Sequence, residues 1–330
     1  MTDEPYFAGN TLDDVMRLVV EAIHARGDSI QPSKGPATEL GGVLLELTNA
    51  RARLSRTETR GKLFTALGEL CWYLARTNAA DFIEYYIPPY SESAEDNAIF
   101  GGYGPRLFSW KDLNQVENVV SLLRRKPHSR QAVIQLFDAT DIVSEHKDVP
   151  CTCTLQFMNR QGKLHMVVNM RSNDVYWGLP HDVFCFTMLQ EIVARTLSVD
   201  MGTYKQAVGS LHLYKRHEAA AKHFLKEGWQ STTPAMPPMP LGDPWNAIGI
   251  LTRAEEAIRV RGAPDIAQVG SLGPYWADLV RLLQIFRAKK DRNLDQVKAL
   301  REQMSSGAYS PFIDRVIRNL QAVKPVKSGD

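Results

Sequence analysis

At 330 residues the chain can form one large domain or two modest ones around a core that needs no staples. Its 39 basic and 37 acidic residues nearly cancel, so no global field marks it for nucleic acid or a membrane surface, and any anionic partner must be held locally. No apolar run approaches the roughly 18 residues of a membrane span, the opening MTDEPYFAGN lacks a signal-peptide layout, and four cysteines (Cys71, Cys151, Cys153, Cys185) make no disulfide framework; a cytoplasmic protein with free thiols is expected.

Leu12 to Ala25 sets Val15, Leu18, Val19 and Ala22 at helical spacing behind a capping Asn10 and Thr11, which predicts a first helix. Residues 26–42, RGDSIQPSKGPATELGG, read as a loop, and VLLELTN after them as a strand. Thr65 to Tyr86 returns to helical character, with Leu67, Leu70, Cys71 and Leu74 on one side and Glu69 among them. A loop from Tyr90 to Gly104, a helix over Leu113 to Arg125 and a strand over Ala132 to Phe137 follow. CTLQFMNRQGKLHMVVNM carries β-favouring residues on both sides of Asn159-Arg160-Gln161-Gly162, the pattern of a hairpin. Val183 to Leu197 is an apolar helix, STTPAMPPMPLGDP a proline-rich connector, and Trp245 to Val323 a set of amphipathic helices. The expected organisation is a mixed α/β catalytic body over residues 1–230 and a connector with a helical extension over 231–330.

Three clusters carry chemistry. Cys151 follows Pro150 in VPCTCT; as a thiolate near an arginine it is a nucleophile, and otherwise it is an idle thiol. One Cys-x-Cys pair without a second ligand cluster predicts no metal. NMRSNDVYWGLPHD puts Arg171, Ser172, amides and carboxylates at a strand-to-helix transition, a setting for an anion and a heterocycle or for a solvated turn. VGSLHLYKRH places His212 and Tyr214 on one side of a strand, so that both polar tips can meet one ligand edge.

Taken together, these segments resemble the thymidylate synthase superfamily from about Leu12 to His223, in the order and spacing of several motifs. GELCWYL is similar to the helix with the catalytic Glu69, GGYG to the loop with Tyr103, and HSRQAVIQLF to the segment that sends Arg130 into the partner subunit's phosphate site. VPCT matches the nucleophile Cys151, RSNDVYWGLP the phosphate- and base-binding segment, and GSLHLY the sugar-binding His212 and Tyr214. Thr152 stands where the methylating synthases have histidine, and Asp182 in LPHD where they have the asparagine that reads the pyrimidine; both move the sequence toward the deoxycytidylate hydroxymethylase branch. Gln131 stands at the second clamp arginine, Lys34 or Arg26 substitutes in the N-terminal loop, and Tyr90 is the nearest aromatic to the folate-stacking tryptophan.

The resemblance implies an α+β fold, a mixed twisted sheet packed with helices, to which this chain adds a C-terminal helical extension. It implies a homodimer acting on a pyrimidine nucleoside monophosphate with 5,10-methylenetetrahydrofolate. Cys151 adds to C6, Glu69 and Tyr103 move protons, and Asp182 faces the base. Arg171, Ser172, Arg130, Lys34, His212 and Tyr214 hold the nucleotide, while Asn173, Asp174, Gly178 and Tyr90 hold the cofactor. The implied activity is hydroxymethyl transfer to dCMP or CMP, or else C5 methylation of dUMP or dCMP. A carboxylate at residue 182 favours cytosine because it accepts from the ring amine, where asparagine complements uracil.

Overall fold

A computed structural model describes residues 5–55, 57, 62–228, 235–264 and 269–322. Thr11 caps helix α1 (Leu12–Arg26) through a reciprocal box with Asp14, and Leu12, Val15, Met16, Val19 and Ile23 form its buried stripe. The segment expected as a loop instead contributes strand β2 (Asp28–Ile30) and the first half of β3 (Ala37–Leu47). Its glycines and prolines are punctuation within a sheet: β3 pairs antiparallel with β7 (Asp200–Tyr214) over almost its whole length, with Gly42 at a φ of 64° that favours glycine.

The expected helix over Thr65 to Tyr86 is two helices, α2 (Leu63–Leu74) and α3 (Ala80–Tyr86), broken where Arg76 takes a φ of 60°. The expected loop after it holds a short turn at Pro88–Ser93 and the start of α4 (Tyr103–Phe108). Asn114 caps α5 (Gln115–Arg125), and strand β4 covers only Val133–Gln135. The hairpin forms as expected: β5 (Thr152–Arg160) and β6 (Lys163–Asp174) join through Gln161 and Gly162, both at positive φ, the primed turn that matches strand twist. Helix α6 begins earlier than its apolar run, at Gly178, and reaches Thr196; α7 is Glu218–Lys226.

Strand β1 (Tyr6–Gly9) completes a seven-stranded mixed sheet ordered β1-β3-β7-β6-β5-β4, with β2 on β3. β1/β3 and β6/β7 are the parallel pairs. One face packs Leu45, Leu155, Phe157, Met166, Val168 and Val208 into the core, and the buried helix α6 lies against β6 and β7. This mixed twisted sheet packed with helices is the expected α+β architecture.

The chain divides into compact units at Met1–Trp245 and Asn246–Asp330; the expected division at residue 230 falls outside the described residues. Part of the proline-rich connector belongs to the first unit. Met236 and Met239 are buried, the Met236 amide donates to Arg51 O at 2.9 Å, and the Met239 amide donates to Glu191 Oε1 at 3.0 Å. The second unit is helical, with Trp245–Arg261 leading into helices Pro274–Lys290, Leu294–Glu302 and Ser310–Ala322. No helix among the described residues is long and apolar enough to cross a membrane.

Candidate active site

The C-terminal ends of β6 and β7, the starts of β5 and α6, and helix α2 converge on an open cleft of about 520 Å³. Every expected site residue lines it except Arg130, which is exposed ahead of β4 with its carbonyl accepting from Gln156 Nε2. Of the two candidate cations of the N-terminal loop, Lys34 reaches the cleft, whereas Arg26 ends α1 with its guanidinium over the Phe7 ring.

Cys151 sits at the mouth of β5 after the buried Pro150. Backbone pairing brings its neighbour into place: the Arg171 amide donates to Cys151 O at 2.9 Å. The guanidinium then donates from Nε to Pro150 O and from Nη2 to Val149 O, both at 2.9 Å, with Nη2 3.7 Å from Cys151 Sγ. Burial pushes the thiol up to about 11; Arg171 pulls it down, and Asp148 and Asp182 add to the rise. The arginine therefore favours the thiolate, but in the free protein desolvation outweighs it.

Glu69 projects from α2 and is buried. Tyr73, one helical turn on, donates to Glu69 Oε1 at 2.8 Å, and Tyr90 donates to the same oxygen at 3.2 Å. Burial raises the carboxyl to about 7, more than the two phenol bonds lower it. That places an acid–base group near neutrality. The Tyr90 ring meets Trp72 edge-on at 5.8 Å.

At the base of the cleft, burial and the charge of Glu69 hold the Asp182 carboxyl well above the usual range, opposed by a hydrogen bond from Asn173. The Asn173 amide also donates to Met170 Sδ at 3.2 Å. A Cβ at Gly178 would stand 2.5 Å from Asn173 Oδ1, so any larger residue there displaces the Asn173 side chain. Asp174 caps the turn into α6, accepting at Oδ1 from the amides of Tyr176 (2.7 Å) and Trp177 (3.1 Å). Burial raises its carboxyl, but bonds from His217 and those amides leave it below the ordinary range.

His212 and Tyr214 also line the cleft and pack edge to face, 4.8 Å between centroids, with Ser172 Oγ 3.5 Å from His212 Nδ1. His212 Nε2 is buried and has no hydrogen-bond partner among the described residues, a vacancy a ligand hydroxyl would fill. Tyr103 donates to Thr152 Oγ1 at 3.0 Å and accepts from the Thr152 amide at 3.1 Å, so the threonine that replaces histidine ties the tyrosine beside the nucleophile.

The structure adds cleft residues that the sequence reading passed over. Tyr73 was accessible from its four-residue spacing to Glu69. Asp148, raised by burial and flanked by Lys34 and Arg171, had no local signal beyond proximity to a motif, and Arg216 beside Tyr214 lies inside VGSLHLYKRH but was given no role there. Among the described residues, no group of three or more His, Cys, Asp or Glu side chains is arranged to hold a metal.

Residues 46–241, more than half of the chain, match the family model described as thymidylate synthase. This chain belongs to the thymidylate synthase family. Among its relatives is a protein named deoxyuridylate hydroxymethyltransferase from Bacillus phage SP01, 29% identical over 223 residues, which are 63% of this chain and 58% of the relative. The chain thus spans little more than half of that relative's length.

Proposed function

We propose that this thymidylate synthase-family chain is a hydroxymethyltransferase that builds a hydroxymethyl group on C5 of a cytidylate, dCMP or CMP. The observation that carries the reading is Asp182. It lines the cleft where the methylating enzymes place a pyrimidine-reading asparagine, and it offers a carboxyl oxygen to the 4-amino group of cytosine. If N3 becomes protonated in the reaction, the same carboxylate accepts that bond too, so one side chain meets both positions of the cytosine edge.

The cleft suits the folate: Trp72, Tyr90 and Trp177 give it an aromatic wall, and Gly178 leaves the start of α6 without a side chain. When bound, methylenetetrahydrofolate supplies a one-carbon unit at the oxidation level of formaldehyde. Lys34, Arg171 and Ser172 hold the phosphate, and His212 with Tyr214 grips the sugar. The Cys151 thiolate adds to C6, which makes C5 nucleophilic. Arg171 is placed to stabilise that thiolate, and nucleotide binding, by excluding water, strengthens their attraction. Tyr103 and Glu69 move protons, and Glu69 holds the water whose oxygen joins the exocyclic carbon as Cys151 leaves C6.

A second substrate, dUMP, is favoured by the phage relative, which is named as a deoxyuridylate hydroxymethyltransferase. The reading also includes a homodimer. On the sheet face turned away from α6, Leu44, Met158, Val167 and Ala207 stay half-exposed, and Arg130 lies at the β4 edge of that sheet, so a second copy covers an incompletely buried surface and brings Arg130 to its partner's cleft.

The test is tritium release from C5-labelled nucleotide together with the absorbance of dihydrofolate. Release without dihydrofolate, lost in Cys151→Ser, is the expected result. Stoichiometric dihydrofolate would overturn the hydroxymethyl reading.

A further inference from the structure

Arg216 stands in the VGSLHLYKRH segment, where the sequence reading assigned it no role, yet it lines the cleft. It stands just past the end of β7, in a short turn at Lys215–His217, and its guanidinium lies over the Tyr214 ring, 4.1 Å from the centroid. Its Nη1 donates to Lys34 O at 2.6 Å, which adds a side-chain tie between the β2–β3 loop and the end of β7 to the backbone bond from the Lys215 amide to Pro36 O. Stacking and this single bond fix the guanidinium while leaving its Nε–Nη2 edge without a hydrogen-bond or ion-pair partner among the described residues. A planar two-donor edge held in this way suits a phosphate better than a lysine does.

The other cations leave room for it. Arg171 already gives Nε and one Nη2 hydrogen to Pro150 O and Val149 O, and Nη2 also faces Cys151 Sγ. Lys34 offers a point charge, and Asp148 beside both cations competes for them. The family's second clamp arginine is Gln131 here, exposed near β4. A phosphate dianion in this cleft is thus short of forked donors from Arg171 alone.

Resting on the nucleotide reading above, we infer that Arg216 is a phosphate-binding residue of this chain's own cleft, closing onto the 5′-phosphate of the pyrimidine nucleotide together with Lys34 and Arg171. It replaces in cis a donor that the family pattern takes from Gln131's position. Its stacking on Tyr214 links the phosphate grip to the sugar grip, since one rigid pair touches both parts of the nucleotide.

The experiment is calorimetric titration of the full-length protein, its Arg216→Gln variant and its Arg216→Lys variant with CMP, dCMP, cytidine and deoxycytidine. Glutamine keeps a neutral donor for Lys34 O and removes the charge and the fork. The expected result is a dissociation constant for nucleotides raised about tenfold or more in Arg216→Gln, an intermediate rise in Arg216→Lys, and nucleoside affinity unchanged, consistent with loss of a charge-assisted bond. Equal nucleotide affinity in all three proteins would overturn the Arg216 assignment alone. An equal loss for nucleosides and nucleotides would overturn it too, by showing that Arg216 only shapes the loop. Failure of the wild-type protein to bind any of the nucleotides would overturn the nucleotide reading and this assignment with it.

Discussion

Arg171 Nη2 lies 3.7 Å from Cys151 Sγ while the same guanidinium is pinned to the carbonyls of Pro150 and Val149, the two residues that precede the thiol. The cation that favours the thiolate is held by the nucleophile's own loop, so its position does not depend on bound substrate. Burial nevertheless sets the free thiol at about 11.

Removing the arginine leaves the burial and deletes the opposing pull. Arg171→Gln should therefore move the pH profile of Cys151 alkylation by iodoacetamide to higher pH, read on the Cys151 peptide by mass spectrometry so that Cys153 does not interfere. An unshifted profile would mean that Arg171 does not act on the thiol.

Glu69 links catalysis to stability. Its carboxyl rises from an ordinary 4.5 to about 7 on folding, so between these values the folded state binds more protons than the unfolded one, and stability falls as pH rises through that window. Above about pH 7 the full cost is about 3 kcal/mol. Glu69→Gln should therefore melt at a higher temperature than the wild type at pH 8, with the advantage shrinking toward pH 5, and should lose turnover at both. A pH-independent difference in melting temperature would show that the carboxyl is not raised.

Asp182 carries the base preference. Asp182→Asn should shift relative kcat/KM from cytidylate toward dUMP by about ten- to a hundredfold, the scale of leaving one buried polar group mispaired. Unchanged selectivity would place base reading elsewhere in the cleft.

Much of the site was legible because its residues sit in short, dense segments whose local structure is simple. NMRSNDVYWGLPHD had to end a strand and start a helix, and the pairing of β6 with β5 and β7 then brings Arg171 to Cys151 and Ser172 to His212. The Gln161-Gly162 turn and the Thr11 cap were legible for the same reason. Residues 26–42 were not, because the strand there is fixed by pairing with β7, far away in sequence. Nor was the break at Arg76, where a non-glycine residue takes a left-handed conformation that tertiary packing imposes. Asp148 and Arg216 escaped because what brings them to the cleft is loop geometry, for which no spacing rule exists.

The connector shows the same limit. Its prolines read only as a connector, yet the Met239 amide donates to Glu191, whose carboxylate also accepts from Arg51 at 2.7 Å and from the buried Arg53. Burial raises Glu191, and the charge of Arg53 with the bonds from Arg51 and Met239 brings it below the ordinary range. Glu191→Ala leaves Arg53 buried without its counter-charge and should cost about 3–5 kcal/mol in urea unfolding. A loss under about 1 kcal/mol would show that the network contributes little beyond packing.

Product mass tests the central claim most directly. Purified protein is incubated with methylenetetrahydrofolate and, separately, CMP, dCMP or dUMP, and each nucleotide is weighed by mass spectrometry. The account expects a cytidylate to gain the mass of one formaldehyde unit, with the reactive nucleotide also identifying the sugar. A gain of one methylene unit, or reaction with dUMP alone, would contradict it and leave Asp182 without the role assigned to it.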